Sequence, residues 1–310
     1  MTRKAQGSLF PRALAACLLL GSSAVVACND PTGVYQRPMD ARLLVSTSDG
    51  NRTAVGVMNA DGSGFEEILV EYAAPMLVSW APDYQRFAMA REVRYGFSIG
   101  FTIWSIGIDG SDRRTVLESD WGMMDRISWS PDGRRILFGA CQFLAIPVRC
   151  GIFTIPKLGG EIDTLVLSTR QPMYPQWSPD GRAIAFVQDS GDGTGLYIMS
   201  ADGTGIRELL TTPYELGSPA WSPDGQRMAF VSDQAGPFEI WTVRADGSGA
   251  RRLTDATGYR DTDPQWSPDG KSIAFIRTFF TDPPRVMFVS DTGGEPRQIE
   301  GPTYVSSLAW

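Results

Sequence analysis

The phrase Trp-Ser-Pro-Asp-Gly occurs four times in this chain, at Trp129, Trp177, Trp221 and Trp266, and nothing else restricts its fold so tightly. An altered copy, Trp-Ala-Pro-Asp-Tyr, starts at Trp80, and the chain ends on Trp310 in Ser-Leu-Ala-Trp. Successive tryptophans are 49, 48, 44, 45 and 44 residues apart. That period is the length of one four-stranded propeller blade.

Each period runs in the same order. A turn follows the tryptophan, and then an apolar strand at 86–90, 136–139, 184–187, 228–231 or 273–276. A second strand comes next, as at 195–199 and 238–243, then a glycine-rich turn (201–205, 245–249) and a short outer strand (206–210, 251–254). Runs of Ile, Val and Phe between Gly, Pro and Asp turns are strand signals. The stretch 41–70 holds strands at 42–46, 53–58 and 65–70 but no tryptophan strand, whereas 305–310 is a tryptophan strand with nothing after it. Each end supplies what the other lacks. The expectation is an all-β, six-bladed propeller over 41–310, its ring closed by the C-terminal strand completing the N-terminal blade. Trp310 then reads as a designed end, and closure removes exposed sheet edges.

In Ser-Pro-Asp-Gly, serine suits position i of a type I turn, proline presets φ at i+1, and aspartate and glycine fit i+2 and i+3. Asp132, Asp180, Asp224 and Asp269 are therefore turn residues rather than catalytic carboxylates. The tryptophans Trp80, Trp129, Trp177, Trp221, Trp266 and Trp310 read as inter-blade packing.

These residues resemble the propeller repeats of the TolB-like family, whose signature is Trp-Ser-Pro-Asp-Gly followed by Ile-Ala-Phe and then an Ala-Asp-Gly turn. The resemblance implies the propeller and a partner met at a channel mouth. It does not imply the family's N-terminal α/β domain, because only the twelve residues 29–40 lie between Cys28 and the expected propeller. Prolyl-oligopeptidase-type enzymes use related propellers, but with a hydrolase domain that has no counterpart here.

The first 27 residues read as an address. Arg3, Lys4 and Arg12 precede the apolar stretch 13–27, which is too short to span a bilayer and suits a signal-peptide core. Val25-Val26-Ala27-Cys28 resembles the bacterial lipobox, in which the cysteine is diacylated before cleavage. Leu14-Ala15-Ala16-Cys17 also fits but has no apolar core ahead of it. The expected organisation is a lipoprotein signal peptide (1–27), a tether (28–40) from acylated Cys28, and the propeller. Two acyl chains anchor stably. Asn29, by resemblance to envelope sorting rules, points to the outer membrane, on its periplasmic or surface side.

The chain has no histidine. That excludes Ser-His-Asp and Cys-His catalysis and His-ligated metals. Its net charge of −7 argues against nucleic acid as a partner. Gly96-Phe97-Ser98-Ile99-Gly100 matches a nucleophile-elbow pattern, but without a base or a strand-to-helix turn it is a coincidence. Cys141 and Cys150 are the free thiols left after export, and an oxidising compartment favours their disulfide; unpaired thiols or an incomplete metal pair are the alternatives. Asp255, Asp261, Asp263, Asp189 and Asp192 lack calcium-loop spacing and read as solvated loop charge. No cofactor is expected.

The regular turns should share one end of the propeller, leaving the variable connections 91–101, 141–150, 255–263 and 278–285 at the other. Those connections and their neighbours carry Arg91, Arg94, Tyr95, Phe97, Trp121, Phe143, Tyr174, Tyr214, Tyr259, Arg260, Phe279 and Phe280. Arginine and aromatic residues on scaffolded loops are the composition of binding hot spots. The expected function is a monomeric, non-catalytic binding module for an envelope protein, peptide or glycan, touching the membrane only through its lipid. The alternative is a histidine-independent lyase or hydrolase using carboxylates or an oxygen-ligated metal in the channel.

Overall fold

The computed structural model describes residues 42–72, 77–95, 98–142, 147–279 and 281–310. They form strands only. Blade 1 contains β1 (Leu43–Ser48), β2 (Thr53–Met58) and β3 (Glu66–Glu71). Blade 2 is β4 (Leu77–Trp80), β5 (Arg86–Tyr95), β6 (Ser98–Gly107) and β7 (Arg114–Ser119). Blade 3 is β8 (Gly122–Trp129), β9 (Arg135–Gln142), β10 (Arg149–Pro156) and β11 (Asp163–Ser168). Blade 4 is β12 (Met173–Trp177), β13 (Ala183–Asp189), β14 (Thr194–Ser200) and β15 (Arg207–Thr212). Blade 5 is β16 (Leu216–Trp221), β17 (Arg227–Ser232), β18 (Glu239–Arg244) and β19 (Arg251–Arg252). Blade 6 is β20 (Tyr259–Trp266), β21 (Ser272–Phe279), β22 (Arg285–Ser290) and β23 (Arg297–Gln298).

The last strand, β24 (Val305–Ala309), pairs antiparallel with β1, Leu44 opposite Ala309 and Val45 opposite Leu308. Blade 1 is thereby β24-β1-β2-β3, and each of the six sheets has four strands. The expected closure is what the structure has.

The second strand of each blade is covered on both faces, which is why it reads as a continuous apolar run. Ile184, Ala185, Phe186 and Val187 are all fully buried. Buried apolar side chains gather in six clusters, one at each blade junction. Every repeat tryptophan sits in such a junction with residues of the preceding blade. Trp129 lies with Ala81, Ala88 and Phe101 of blade 2, and Trp310 with Phe288 of blade 6. Two indoles also tie blades by hydrogen bonds: Trp80 Nε1 donates to the Arg42 carbonyl (3.1 Å) and Trp266 Nε1 to that of Ala220 (3.0 Å).

The Ser-Pro-Asp-Gly turns close as expected. In blade 4 the Gly181 N–H donates to the Ser178 carbonyl (2.9 Å), while the Ser178 hydroxyl donates to Asp180 (2.6 Å) and accepts the Ala183 N–H (2.9 Å). The Ala-Asp-Gly turns do more than reverse the chain. A Cβ on Gly203 would lie 2.6 Å from the Leu165 carbonyl oxygen, and one on Gly247 2.5 Å from that of Leu209, each on the preceding blade's outer strand. These glycines let neighbouring blades touch.

Strand alternation puts both regular turns at one end of the propeller and the second-to-third-strand hairpins, with the blade-to-blade connections, at the other. Some expected boundaries move. The loop expected over 91–101 is a hairpin in which β5 and β6 continue to Tyr95 and Ser98. Here the alternation of apolar and polar residues simply persists. The outer strand expected at 251–254 is only Arg251–Arg252, because Leu253 and Thr254 both aim their N–H groups at the Ile240 carbonyl.

Candidate functional site

The inner strands reach the channel with a shared irregularity. β8, β12, β16 and β20 each slip register just before the tryptophan. At this bulge Tyr174, Ser218 and Asp263, each three residues before its tryptophan, adopt φ of 54°, 46° and 51°. Each is followed by a proline (Pro175, Pro219, Pro264), which brings no N–H of its own to leave unpaired in the distorted backbone.

In blade 3 the equivalent position is Arg126, which is 8% exposed and crosses the channel. Its Nη1 donates to Gln176 Oε1 (3.0 Å) and to the Pro219 carbonyl (3.1 Å), and its Nη2 pairs with the Asp263 carboxylate. The other Asp263 oxygen accepts the Leu308 N–H (2.8 Å). One guanidinium and one carboxylate thus link blades 3, 4, 5, 6 and 1. Blade 2 joins through the Ser79 hydroxyl, which accepts the Trp129 N–H (3.3 Å). The channel is plugged at mid-depth by a satisfied ion pair.

The variable end carries the exposed aromatic surface. Among the described side chains the exposed tyrosines are Tyr72 (85%), Tyr214 (46%) and Tyr304 (46%). All three lie on blade-to-blade connections at this end. Arg94 and Arg260 are also exposed at this end, Arg260 with its guanidinium 4.6 Å from the Phe238 ring centroid. Tyr72 and Tyr304 are not among the residues expected from sequence. Their signal was only an aromatic residue next to a tryptophan strand, which becomes distinctive once both ends of the ring are known.

Other expected residues are engaged within the fold. Arg91 pairs with Glu71 and lies over the Trp104 ring, which also receives Arg113. Trp121 packs on Phe153 with centroids 5.2 Å apart, and Tyr259 packs edge-on against Phe279 at 5.0 Å. Tyr174, expected on a connection, lies within β12 and is half-buried. Tyr95 is placed by its backbone alone, opposite Ser98. Phe97, Phe143, Phe280, Gly96 and Cys28, with the whole of 1–40, lie outside the described residues.

Two aspartates read from sequence as solvated are not. Asp261 is fully buried and bidentate with Arg277 (both contacts 2.7 Å), and Asp263 holds Arg126. Burial pushes the Asp261 carboxyl up despite its arginine. Beside it Glu239, 1% exposed, accepts the Ala256 N–H (3.1 Å) on one oxygen, while its other oxygen has no partner; burial pushes this carboxyl up too. Among the described residues no group of three acidic or cysteine side chains could hold a metal. The turn aspartates move the other way: the Ser178 hydroxyl and the Arg182 N–H hold Asp180 below the usual carboxylate range.

Cys141 and Cys150 form a disulfide. As the spacing suggested, they bracket the connection between the second and third strands of blade 3. They face each other across β9 and β10, with Cα atoms 4.0 Å apart.

Residues 154–303 match the family described as PD40, TolB beta propeller domain. A Tol-Pal system protein TolB of Anaeromyxobacter dehalogenans (strain 2CP-C) is 42% identical over 111 residues, which is 34% of this chain and 23% of that protein. The uncharacterized peptidase YuxL of Bacillus subtilis (strain 168) is 42% identical over 59 residues, 19% of this chain and 9% of that protein. The matched stretches therefore span less than a quarter of either relative. Among solved structures, one described as a TolB from Agrobacterium tumefaciens superposes with TM-score 0.66 at 20% identity, covering 86% of this chain and 91% of that one. A nidogen/laminin complex gives 0.68 at 13% (86% and 97%), and an oligogalacturonate lyase in complex with manganese gives 0.57 at 13% (83% and 76%). These likenesses are to the fold.

Proposed function

From the TolB-like β-propeller that the described residues form, we propose that this chain is a non-catalytic binding module of the bacterial cell envelope. It is held by lipid on Cys28 and meets a protein, peptide or glycan partner with its variable end. The observation that carries this reading is that, among the described side chains, the exposed tyrosines all lie at that end. Tyrosine offers large amphipathic contact area at low entropic cost and, with arginine, dominates hot spots. Tyr72, Tyr214 and Tyr304 on blade-to-blade connections, with Arg94 and Arg260 at the ends of β5 and β20, supply both on a rigid four-stranded scaffold. The Tol-Pal system name of one relative supports an envelope setting.

A channel-based lyase or hydrolase would need a carboxylate free to act or to hold a cation. Asp263 is committed to Arg126, and a fixed guanidinium at mid-channel repels a divalent ion. This favours binding over the enzymatic reading.

The test is a paired scan by crosslinking from envelope membranes. Alanine at Tyr72, Tyr214, Tyr304, Arg94 and Arg260 should abolish partner capture with the fold intact. Alanine at Asp202 and Asp246, on the regular end, should not. Capture lost only in the second set, or turnover of any glycan in a polysaccharide panel, overturns the reading. Intact-mass measurement of the wild-type chain checks the lipid on Cys28.

A further inference from the structure

We infer that, when the chain is held through Cys28, the end bearing the Ser-Pro-Asp-Gly turns is membrane-proximal and the tyrosine-bearing end is membrane-distal. The inference rests on the anchored reading above and adds an orientation to it. It begins with where the described chain starts. Leu43 lies opposite Met58, at the mouth of the regular turn 59–64, and Leu44 lies opposite Ala309. The hairpin 49–52 closes β1 at the far end. The first described residue therefore leaves the propeller at the regular end, beside the closing tryptophan strand. The Arg42 carbonyl, holding Trp80 Nε1, pins that exit to the junction of blades 1 and 2.

Chain length makes the exit decisive. The stretch 28–42 is fifteen residues, which fully extended reaches about 50 Å. To bring the variable loops to the lipid surface, it would have to cross β2 and β3, about 10 Å at one strand spacing each. It would then run the depth of a blade, about 26 Å for a strand of eight residues such as β8, and pass beyond the loops. That route consumes most of the contour and orders nearly every residue on it, at a cost of about 1 kcal/mol or more apiece. With the regular end towards the membrane the same stretch is unconstrained. The consequence is functional. The tyrosines face away from the anchoring membrane, so the partner they suit approaches from the aqueous side or from an opposing surface.

The experiment places a dye on a click-reactive amino acid replacing Asp202 or, separately, Tyr214, and measures energy transfer to an acceptor headgroup in phosphatidylcholine vesicles. One arm uses the protein purified with its native modification. The other couples the Cys28 thiol of the chain beginning there to a maleimide lipid, so that orientation is read whether or not cells acylate it. Higher transfer from position 202 than from 214 in the coupled arm supports the inference. Equal or reversed transfer there overturns it, while leaving the anchored reading intact. The native arm and its intact mass decide that reading separately: no acyl group and no vesicle binding sink it, whatever the coupled arm shows.

Discussion

Arg126 and Asp263 stand on opposite blades, 137 residues apart in sequence, and close an ion pair across the axis of the propeller. Their side chains are 9% and 18% exposed, so neither charge is well solvated. Such a pair is weak evidence for net stability, but removing one member strands the other. Its position suggests a cross-brace that fixes the relative rotation of blades a ring otherwise connects only to their neighbours.

Arg126→Met should therefore destabilise by about 3–5 kcal/mol, because Asp263 is left buried without its cation. The double variant Arg126→Met/Asp263→Asn keeps an acceptor for the Leu308 N–H and should recover much of the loss. Urea unfolding of the three proteins decides the matter; equal midpoints would show that the brace is idle.

Gly247→Ala tests the contact between blades. The φ of +89° disfavours any side chain, and the new Cβ would meet the Leu209 carbonyl. Gly225→Ala is the reference, since its φ is +68° but nothing lies within 4 Å of the new atom. The reference should cost about 1–2 kcal/mol, the left-handed penalty alone. Gly247→Ala should cost clearly more in thermal unfolding.

Trp310→Ala empties the junction that closes the ring. The indole is 9% exposed and packs edge-on against Phe288 at 5.3 Å. Loss of a large buried aromatic costs about 3–5 kcal/mol. A melting temperature equal to that of wild type would mean the closing strand carries no stability.

Reducing the Cys141–Cys150 disulfide, or replacing both residues by serine, should lower stability by about 2.5–3 kcal/mol on the chain-entropy account of so short a loop. Calorimetry with and without reductant reads this directly, and the double-serine variant should show no further response to reductant.

Acid and base should act on different carboxylates. Asp180 and its counterparts have lowered folded values, so their contribution is present above the ordinary aspartate value of about 3.9 and is lost as pH falls through the lower folded value. Glu239 has a raised value: the folded form holds its proton more tightly, so stability falls as pH climbs from about 4.3 through the raised value. Glu239→Gln should lessen that decline, leaving the share contributed by the raised Asp261 carboxyl, and leave the acid limb unchanged. Parallel curves for the two proteins over pH 4–8 would contradict the assignment.

The blades were legible in the residues themselves because their determinants are short-range. A serine, a proline, an aspartate and a glycine in order dictate a turn, and an apolar run such as Ile184–Val187 dictates a strand buried on both faces. Repeating them at a near-constant period, with complementary ends, left little choice but a closed ring of six. The channel was not legible. Gln176, Pro219 and Asp263 lie 50, 93 and 137 residues from Arg126 and share no pattern with it. Only closure of the ring brings them within hydrogen-bonding reach, and only burial turns Asp263 from a loop charge into half of a brace. The same holds at the rim, where Tyr72 and Tyr304 are ordinary surface residues until strand alternation carries both to one end. Turn and strand propensity act over a few residues, whereas a site assembled across six blades depends on distances that exist only after the chain has closed on itself.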